Sequence, residues 1–255
     1  MKNNMKKTKL LALTMGACAA AVLFPVQTVS AQAFTPEQKA ELEELVKQYI
    51  VGNPESILES VDRYRTEQEQ KTQQSAQDSL SEYQEYFKTA TLPMAGNPEG
   101  DVTVVEFFDY NCGYCRKAYE DIMGLLKDDT NVRVVFQEMP ILSPSSQLMS
   151  TIALAAKMQG KYFEMHQGLM DYKGTQTEEA YFKIAEKIGL DLEKLKTDMA
   201  SDAVKGEVEK SMEVARALGI RGTPGFVIGD TIFPGYVGLD ALKKGVSDAR
   251  AAKAQ

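Results

Sequence analysis

The chain has 255 residues with 36 acidic and 29 basic side chains, a formal charge of −7 and three cysteines. That balance gives no electrostatic reason to bind nucleic acid or an anionic membrane, and so few cysteines exclude a small scaffold held by disulfide staples. At 44% hydrophobic content the length supports one domain plus an appendage, stabilised by an apolar core.

Residues 1–33 read as a cleaved signal peptide. Lys2, Lys6, Lys7 and Lys9 form a positive end, Leu10 to Val26 is mostly apolar, and Ala31-Gln32-Ala33 has the small-x-small form that signal peptidase accepts. Pro25, Gln27 and Thr28 keep the apolar run short for a membrane span. Met15-Gly16-Ala17-Cys18 weakly resembles a lipoprotein cleavage sequence, but the apolar run before Cys18 is short and continues past it. The expectation is export to the periplasm, leaving Cys112 and Cys115 as the cysteines of the mature chain.

Residues 34–65 carry helical punctuation. Thr35-Pro36-Glu37-Gln38 is a capping box with proline at the first helical position. Leu42, Leu45, Val46, Tyr49 and Ile50 recur at helical spacing, Gly52 and Asn53-Pro54 end one helix and start the next, and Ile57, Leu58, Val61 and Tyr64 form a second apolar stripe. Thr66 to Ser79 holds no large apolar residue and reads as a solvated helix or flexible linker. Leu80, Tyr83, Tyr86 and Phe87 resume the pattern before a loop from Pro93 to Gly100, so 66–100 is expected as a polar helical linker and loop. An apolar helical hairpin behind a polar linker needs something to bury against. A second copy of itself is the simplest partner, and 34–65 is expected to be a homo-oligomerisation module, a dimer before a trimer; the alternative is that it folds back on its own domain. Were 54–88 one continuous helix, it would span about 50 Å, long enough to separate two sites.

The domain proper is expected at 101–255. Val102 to Asp109 reads as a buried strand, Arg116 to Lys127 as a helix, and Val132 to Phe136 as a second strand. A helical block follows over about 142–218, with Thr177 and Asp191 as starts and Gly189 and Gly219 as stops. Gly225 to Phe233 reads as a hairpin turning at Gly229-Asp230, and Leu239 to Ala252 as a closing amphipathic helix.

Cys112-Gly113-Tyr114-Cys115 sits between the first strand and its helix. The first thiol then lies at a helix N-terminus, where unpaired backbone N–H groups and the helix dipole favour a negative charge, and the thiolate is the reactive form. The second lies one turn further in, close enough to close a disulfide or resolve a mixed one. A purely structural disulfide across so short a loop would contribute only about 2 kcal/mol, and the strand-to-helix placement argues for chemistry instead.

With Glu106-Phe107-Phe108 leading into the cysteines, Gly222-Thr223-Pro224-Gly225-Phe226 downstream and a helical block between, the stretch 101–250 resembles the DsbA family of periplasmic thiol–disulfide oxidoreductases. The resemblance implies an α/β thioredoxin-like fold with an all-helical insertion. It implies that Cys112 is the exposed nucleophile, Cys115 the buried resolving thiol, and Pro224 a cis proline presenting the Thr223 backbone to an extended substrate. Glu106 resembles the family's buried acid. A carboxylate in an apolar strand is costly unless it works or is paired, so it is either a proton relay for Cys115 or a paired core acid. His166, the one histidine, lies among Tyr162, Phe163 and Met165 and reads as a packed helix residue, while Asp109 and Tyr110 either cap and pack beside the motif or serve it.

Gly113-Tyr114 and Thr223 depart from the Pro-His and Val of the best-known DsbA pattern and are similar to the DsbC disulfide isomerases, which are dimers. Tyrosine carries no charge to stabilise the thiolate as an imidazolium would, so the disulfide should be less oxidising. These residues predict an oligomeric oxidoreductase that isomerises, and to some extent introduces, disulfides in exported proteins. A DsbD-type reductant and a DsbB-type oxidant of the inner membrane are the implied partners, with no cofactor and no metal. The alternatives are a copper-binding or copper-buffering protein using the same two thiols and a holdase acting through its apolar N-terminal surface.

Overall fold

A computed structural model of the protein describes residues 34–254; the expected signal peptide at 1–33, Cys18 included, lies outside the described residues. The chain divides into two units, one up to Glu59 and one from Ser60 onward.

In the first unit, helix α1 (Pro36–Gly52) begins with the expected capping box. The Thr35 hydroxyl accepts from the Gln38 N–H at 3.2 Å, and the Gln38 side chain accepts from the Thr35 N–H at 3.0 Å. The helix stops at Asn53, whose backbone and side-chain N–H groups both donate to the Tyr49 carbonyl at 2.9 Å. No residue of α1 is buried, and Leu42, Leu45, Val46, Tyr49 and Ile50 are all exposed. Helix α2 (Pro54–Phe87) starts directly after Asn53.

The segment 66–100, expected as a polar helical linker and loop, is helical as far as Phe87, and part of it packs into the second unit. Thr66 to Ser79 is uninterrupted helix within α2, and Ala76, Leu80 and Phe87 are buried in the second unit. Ala76, Leu80, Tyr83 and Phe87 recur every three or four residues, which aligns them on one face. A small alanine opens that stripe, so the polar run around it hides it. Strand β1 (Met94–Gly96) follows and joins the sheet, so the domain begins well before Asp101. Its three residues have no apolar alternation; pairing with a neighbour creates this strand.

The remaining strands are β2 (Val102–Phe108), β3 (Val132–Glu138), β4 (Gly225–Ile228) and β5 (Thr231–Phe233), in the sheet order β1-β3-β2-β4-β5. β2 and β3 are parallel, and helix α3 (Gly113–Asp128) makes the crossover that a parallel pair requires. The other pairings are antiparallel. Both faces are covered, which is why β2 and β3 read as nearly continuous apolar runs. Val105, Phe107, Val135 and Val227 pack with Leu80 and Phe87 of α2, and with Val214, Ala215 and Leu218. Val104, Phe108, Val134 and Phe136 face the other way, into a core with Cys115, Ala118 and Ile122 of α3.

The helical block consists of α4 (Pro144–Lys157), α5 (Tyr162–Asp171), α6 (Glu178–Lys187), α7 (Leu192–Met199) and α8 (Asp202–Ala217), and α9 (Leu239–Lys253) closes the chain. Four of these starts are fixed by side-chain caps: Ser143, Thr177, Asp191 and Ser201 each accept from a backbone N–H in the first turn. Gly219, at φ 68°, ends α8 in the left-handed region that glycine adopts without strain. Buried Arg133 of β3 donates to the carbonyls of Phe87 and Lys88, the acceptors that α2 leaves unpaired at its end. The architecture is a thioredoxin-like fold with an all-helical insertion, preceded by N-terminal helices.

Candidate active site

Cys112 is held from three directions. Its N–H donates to the Asp109 carbonyl at 3.0 Å, closing the turn that leaves β2. It caps α3: its carbonyl accepts from Cys115 and Arg116, and its Sγ accepts from the Cys115 N–H at 3.4 Å. Its Sγ also lies 3.3 Å from the Thr223 carbonyl oxygen, in the loop before β4. Sequence reasoning expected an exposed sulfur here. The residue is only 8% exposed, because the Thr223 segment lies against it.

Cys115 lies one turn into α3 and is fully buried; both cysteines are free thiols. Burial pushes the Cys115 thiol far up, and the nearby Glu106 carboxyl pushes it further. Glu106, in the middle of β2, is also fully buried, and neither of its oxygens has a hydrogen-bond partner among the described residues. Burial holds its carboxyl well above the carboxylate range, with negative charge on Cys112 and Glu138 adding to the effect. No donor among the described residues pairs this acid.

The peptide bond from Thr223 to Pro224 is cis, and Pro224 is buried. The Thr223 hydroxyl is buried without a partner among the described residues. A side chain at Gly225 would meet Ile220 at 2.6 Å, so glycine is needed for the chain to enter β4 here. Gly113 is exposed, and a side chain there would meet nothing within 4 Å, so the structure gives no steric reason for its glycine. Tyr114 is 64% exposed, its ring 5.6 Å from that of Tyr236. The Lys117 ammonium sits 4.9 Å over the Tyr236 ring, whose hydroxyl donates to Asp121 at 2.7 Å.

Asp109 proves to be an anchor. It is fully buried; Oδ1 accepts from the Asn111 N–H and the Ser146 hydroxyl, and Oδ2 from the Ile141 and Leu142 N–H groups. It therefore ties the turn before Cys112 to the loop after β3. Tyr110 belongs to a cluster that the sequence reading missed. Its hydroxyl lies 3.2 Å from Glu138 and 3.1 Å from Nδ1 of His166. Glu138 also accepts from Ser150 at 2.6 Å and from Tyr162 at 2.8 Å. Burial pushes the Glu138 carboxyl up to about 8 in spite of these donors, and pushes His166 down to about 3. His166 is the packed helix residue expected, ringed by Phe108, Phe136 and Tyr162. The signal for Glu138 was available: it closes an apolar strand, as Glu106 interrupts one.

Among the described residues no group of three or more His, Cys, Asp or Glu side chains could hold a metal ion, and no helix is long and apolar enough to cross a membrane. The arrangement provides two thiols one helical turn apart, one at a helix start, with a buried acid near the second.

Residues 103–247 match the family model described as a DSBA-like thioredoxin domain. Among solved structures, a thioredoxin-like oxidoreductase from Silicibacter pomeroyi is 46% identical, covering 65% of this chain and 95% of its own, with a TM-score of 0.62. A linker-deletion mutant of ScsC from Proteus mirabilis is 26% identical and covers 88% of this chain and all of its own, with a TM-score of 0.63. A curated relative, an Na(+)/H(+) antiporter NhaA 3 from Salinispora tropica, is 31% identical over 156 residues; the match takes in 60% of this chain but only 24% of the antiporter. The matched segment holds the cysteines, Glu106 and the Thr223-Pro224 pair together, and the chain belongs to the family of DSBA-like thioredoxin domains.

Proposed function

We propose that this protein is a periplasmic thiol–disulfide oxidoreductase that isomerises, and to a lesser extent introduces, disulfide bonds in exported proteins through Cys112 and Cys115. The observation that carries the reading is the Cys112 sulfur at the start of α3, with the Thr223 carbonyl 3.3 Å away and Cys115 buried one turn on. Cys112 attacks a client disulfide as a thiolate; a bond forms between its sulfur and one client sulfur, and the other client sulfur leaves as a thiolate. In isomerisation that freed thiolate, or another in the client, attacks a different client disulfide, and a client thiolate finally displaces Cys112. In the escape route Cys115 gives up its proton and attacks Cys112. The mixed disulfide breaks, Cys112 and Cys115 join, and the client leaves as a dithiol, reduced by two electrons.

Thr223 and Pro224 have distinct parts in this scheme. The Thr223 backbone pairs with an extended client strand, and Pro224 brings no N–H toward the sulfurs. Glu106 takes the proton from Cys115. Gly113 and Tyr114 tune the pair: an uncharged tyrosine gives the thiolate less support than an imidazolium, which favours a less oxidising disulfide.

Residues 34–65 associate with a second copy of the chain. The support is the row of exposed Leu42, Leu45, Val46, Tyr49 and Ile50 on α1, with Ile57, Leu58, Val61 and Tyr64 exposed on α2; exposed apolar rows of this kind mark interaction sites. A homo-oligomer, with a dimer as the simplest closed form, would present more than one Cys112 to a client. Misoxidised exported proteins are the substrates. An inner-membrane reductant of the DsbD type maintains the thiols for isomerisation, and a DsbB-type oxidant serves the oxidase activity.

The test is recovery of scrambled ribonuclease by the full protein and by a version lacking 34–65, with molar mass read by light scattering. Loss of both association and most isomerase activity in the shortened protein supports the reading. Equal rates remove the oligomer from the mechanism, and no rate in either removes the isomerase. Trapping the cellular redox state of Cys112 and Cys115 with a thiol-blocking reagent separates the two directions: mostly reduced for an isomerase, mostly oxidised for an oxidase.

A further inference from the structure

Two carboxyl groups are fully enclosed on one face of the sheet. Register pairs Glu106 with Phe136 and Phe108 with Glu138 on parallel strands, so Glu106 and Glu138 lie on the same face as diagonal neighbours. Strand spacing and rise put their Cα atoms about 8 Å apart. Their surroundings differ sharply. Glu138 receives hydroxyl bonds from Ser150, Tyr162 and Tyr110, whereas Glu106 has no donor among the described residues. A hydroxyl cage stabilises a carboxylate and bare burial does not. Of the two, Glu138 therefore ionises first, and its charge then opposes a second charge on Glu106.

We propose that Glu138 is a positioning residue for the Cys112–Cys115 pair: its charge keeps the proton on Glu106 and so sets the pH at which Glu106 can accept the proton of Cys115. The inference rests on the oxidoreductase reading above. The step it governs is resolution. The Cys115 thiol passes its proton to the Glu106 carboxylate, the resulting thiolate attacks the Cys112 sulfur of a mixed disulfide, and the displaced thiolate takes a proton from water. The first attack, by Cys112, does not involve this transfer.

The other groups around the two acids fit this assignment. Tyr110 and Tyr162 are held neutral, each pushed well above the phenol range by burial first and by Glu138 next. His166 stays neutral because burial pushes it down to about 3, and its Nδ1 lies on the far side of the Tyr110 hydroxyl. Glu207 on α8 adds a small upward push to Glu138, but it is paired with Lys157 at 2.6 Å. Cys112 and Cys115 are the remaining groups facing Glu106. Glu138 is thus the one carboxylate of this cluster with donors arranged for its charge.

The probe is oxidised glutathione mixed with the reduced full-length protein. Formation of the glutathione adduct on Cys112, with the first equivalent of reduced glutathione, reports the first attack; loss of the adduct with release of the second equivalent reports resolution, each followed across pH 5 to 10. Glu138→Gln is expected to move the midpoint of the resolution profile down by about one pH unit, the scale of losing one close like charge, while leaving adduct formation unchanged. Glu106→Gln is expected to remove the midpoint. Ser150→Ala, a smaller change that takes one donor from Glu138, is expected to shift resolution in the same direction by less, and it decides the matter should Glu138→Gln fail to fold. Resolution profiles for Glu138→Gln and Ser150→Ala that superimpose on the parent overturn the proposal and leave the oxidoreductase reading intact. Absence of any adduct in the parent protein overturns both.

Discussion

The Sγ of Cys112 and the carbonyl oxygen of Thr223 lie 3.3 Å apart although 111 positions separate them in the chain. The contact joins the start of α3 to the loop entering β4, and it shields a sulfur that must nonetheless be reached. A carbonyl oxygen has two lone pairs. Under the proposed function, an extended client would pair with Thr223 while its own disulfide passes over Cys112, which would make binding and alignment one event.

Cys112→Ser is expected to reduce disulfide exchange to the buffer background. Cys115→Ser should still make the first attack but lack the escape route. Client protein would then accumulate as a mixed disulfide on Cys112, visible by intact mass and released by a reductant. Trapping by Cys112→Ser alone would reverse the roles of the two thiols, and equal trapping by both variants would remove the distinction between them.

Tyr114→His is expected to make the disulfide more oxidising. The ring at this position is exposed and one residue inside the start of α3, so an imidazolium there would support a thiolate at Cys112 by charge. An effect of about tenfold in the equilibrium with glutathione, toward the reduced protein, corresponds to about 30 mV. Quantifying thiols by mass after alkylation measures it, and an unchanged constant would show that the dipeptide does not tune the pair.

Stability should fall as the solution becomes alkaline. Glu106 and Glu138 both have folded values raised above 4.5, Glu138 to about 8. The folded chain therefore keeps protons that the unfolded chain releases. The stabilisation is complete below about 4.5 and is lost as pH rises through the folded values. Glu106→Leu should flatten this limb and raise the melting temperature at pH 8. An unpartnered buried polar group costs about 1–3 kcal/mol, and each kcal/mol is worth about 2–4 °C at this size. The same variant should resolve mixed disulfides slowly.

The acid limb has a different origin. His166 titrates at about 3 when folded, against 6.5 in the unfolded chain. Here the unfolded chain binds the proton first, so stability declines as pH falls from 6.5 toward 3. The slope is at most about 1.4 kcal/mol per pH unit from this residue. His166→Asn, which keeps an acceptor near Tyr110, should shift acid unfolding to lower pH; an identical acid midpoint would place the acid sensitivity elsewhere.

Elements announced by their own residues were legible in advance. Thr177 and Asp191 signal helix starts by their chemistry, Gly219 signals a stop, and the Val102–Phe108 run is apolar because both sheet faces are covered. Cys112 and Cys115 stood out by their spacing where a strand turns into a helix, Glu106 as a carboxylate in an apolar strand, and Pro224 only through the resemblance to the DsbA family. What escaped depends on partners far along the chain. Met94–Gly96 is a strand because β3 offers an edge. Leu80 is core because β2, β3 and α8 supply a surface for it, and Ala76 is buried close to Gly219. Glu138 looked like a strand end until Tyr110, Ser150 and Tyr162 converged on it. The low exposure of Cys112 arises the same way, from the Thr223 loop.

The burial of Leu80 and Phe87 against Val105, Phe107, Val135 and Val227 bears on how this protein can be cut. A fragment trimmed to begin at Asp101 would keep every residue of the active site yet lose Leu80, Phe87 and Leu92 from one face of its sheet, leaving that face to Val214, Ala215, Leu218 and Ile220, and strip β1 from the edge. Such a piece should aggregate. The shortest well-behaved catalytic fragment has to reach back past Ala76, so the seemingly featureless glutamine-rich stretch before it marks where a protease or a designer can safely sever the chain.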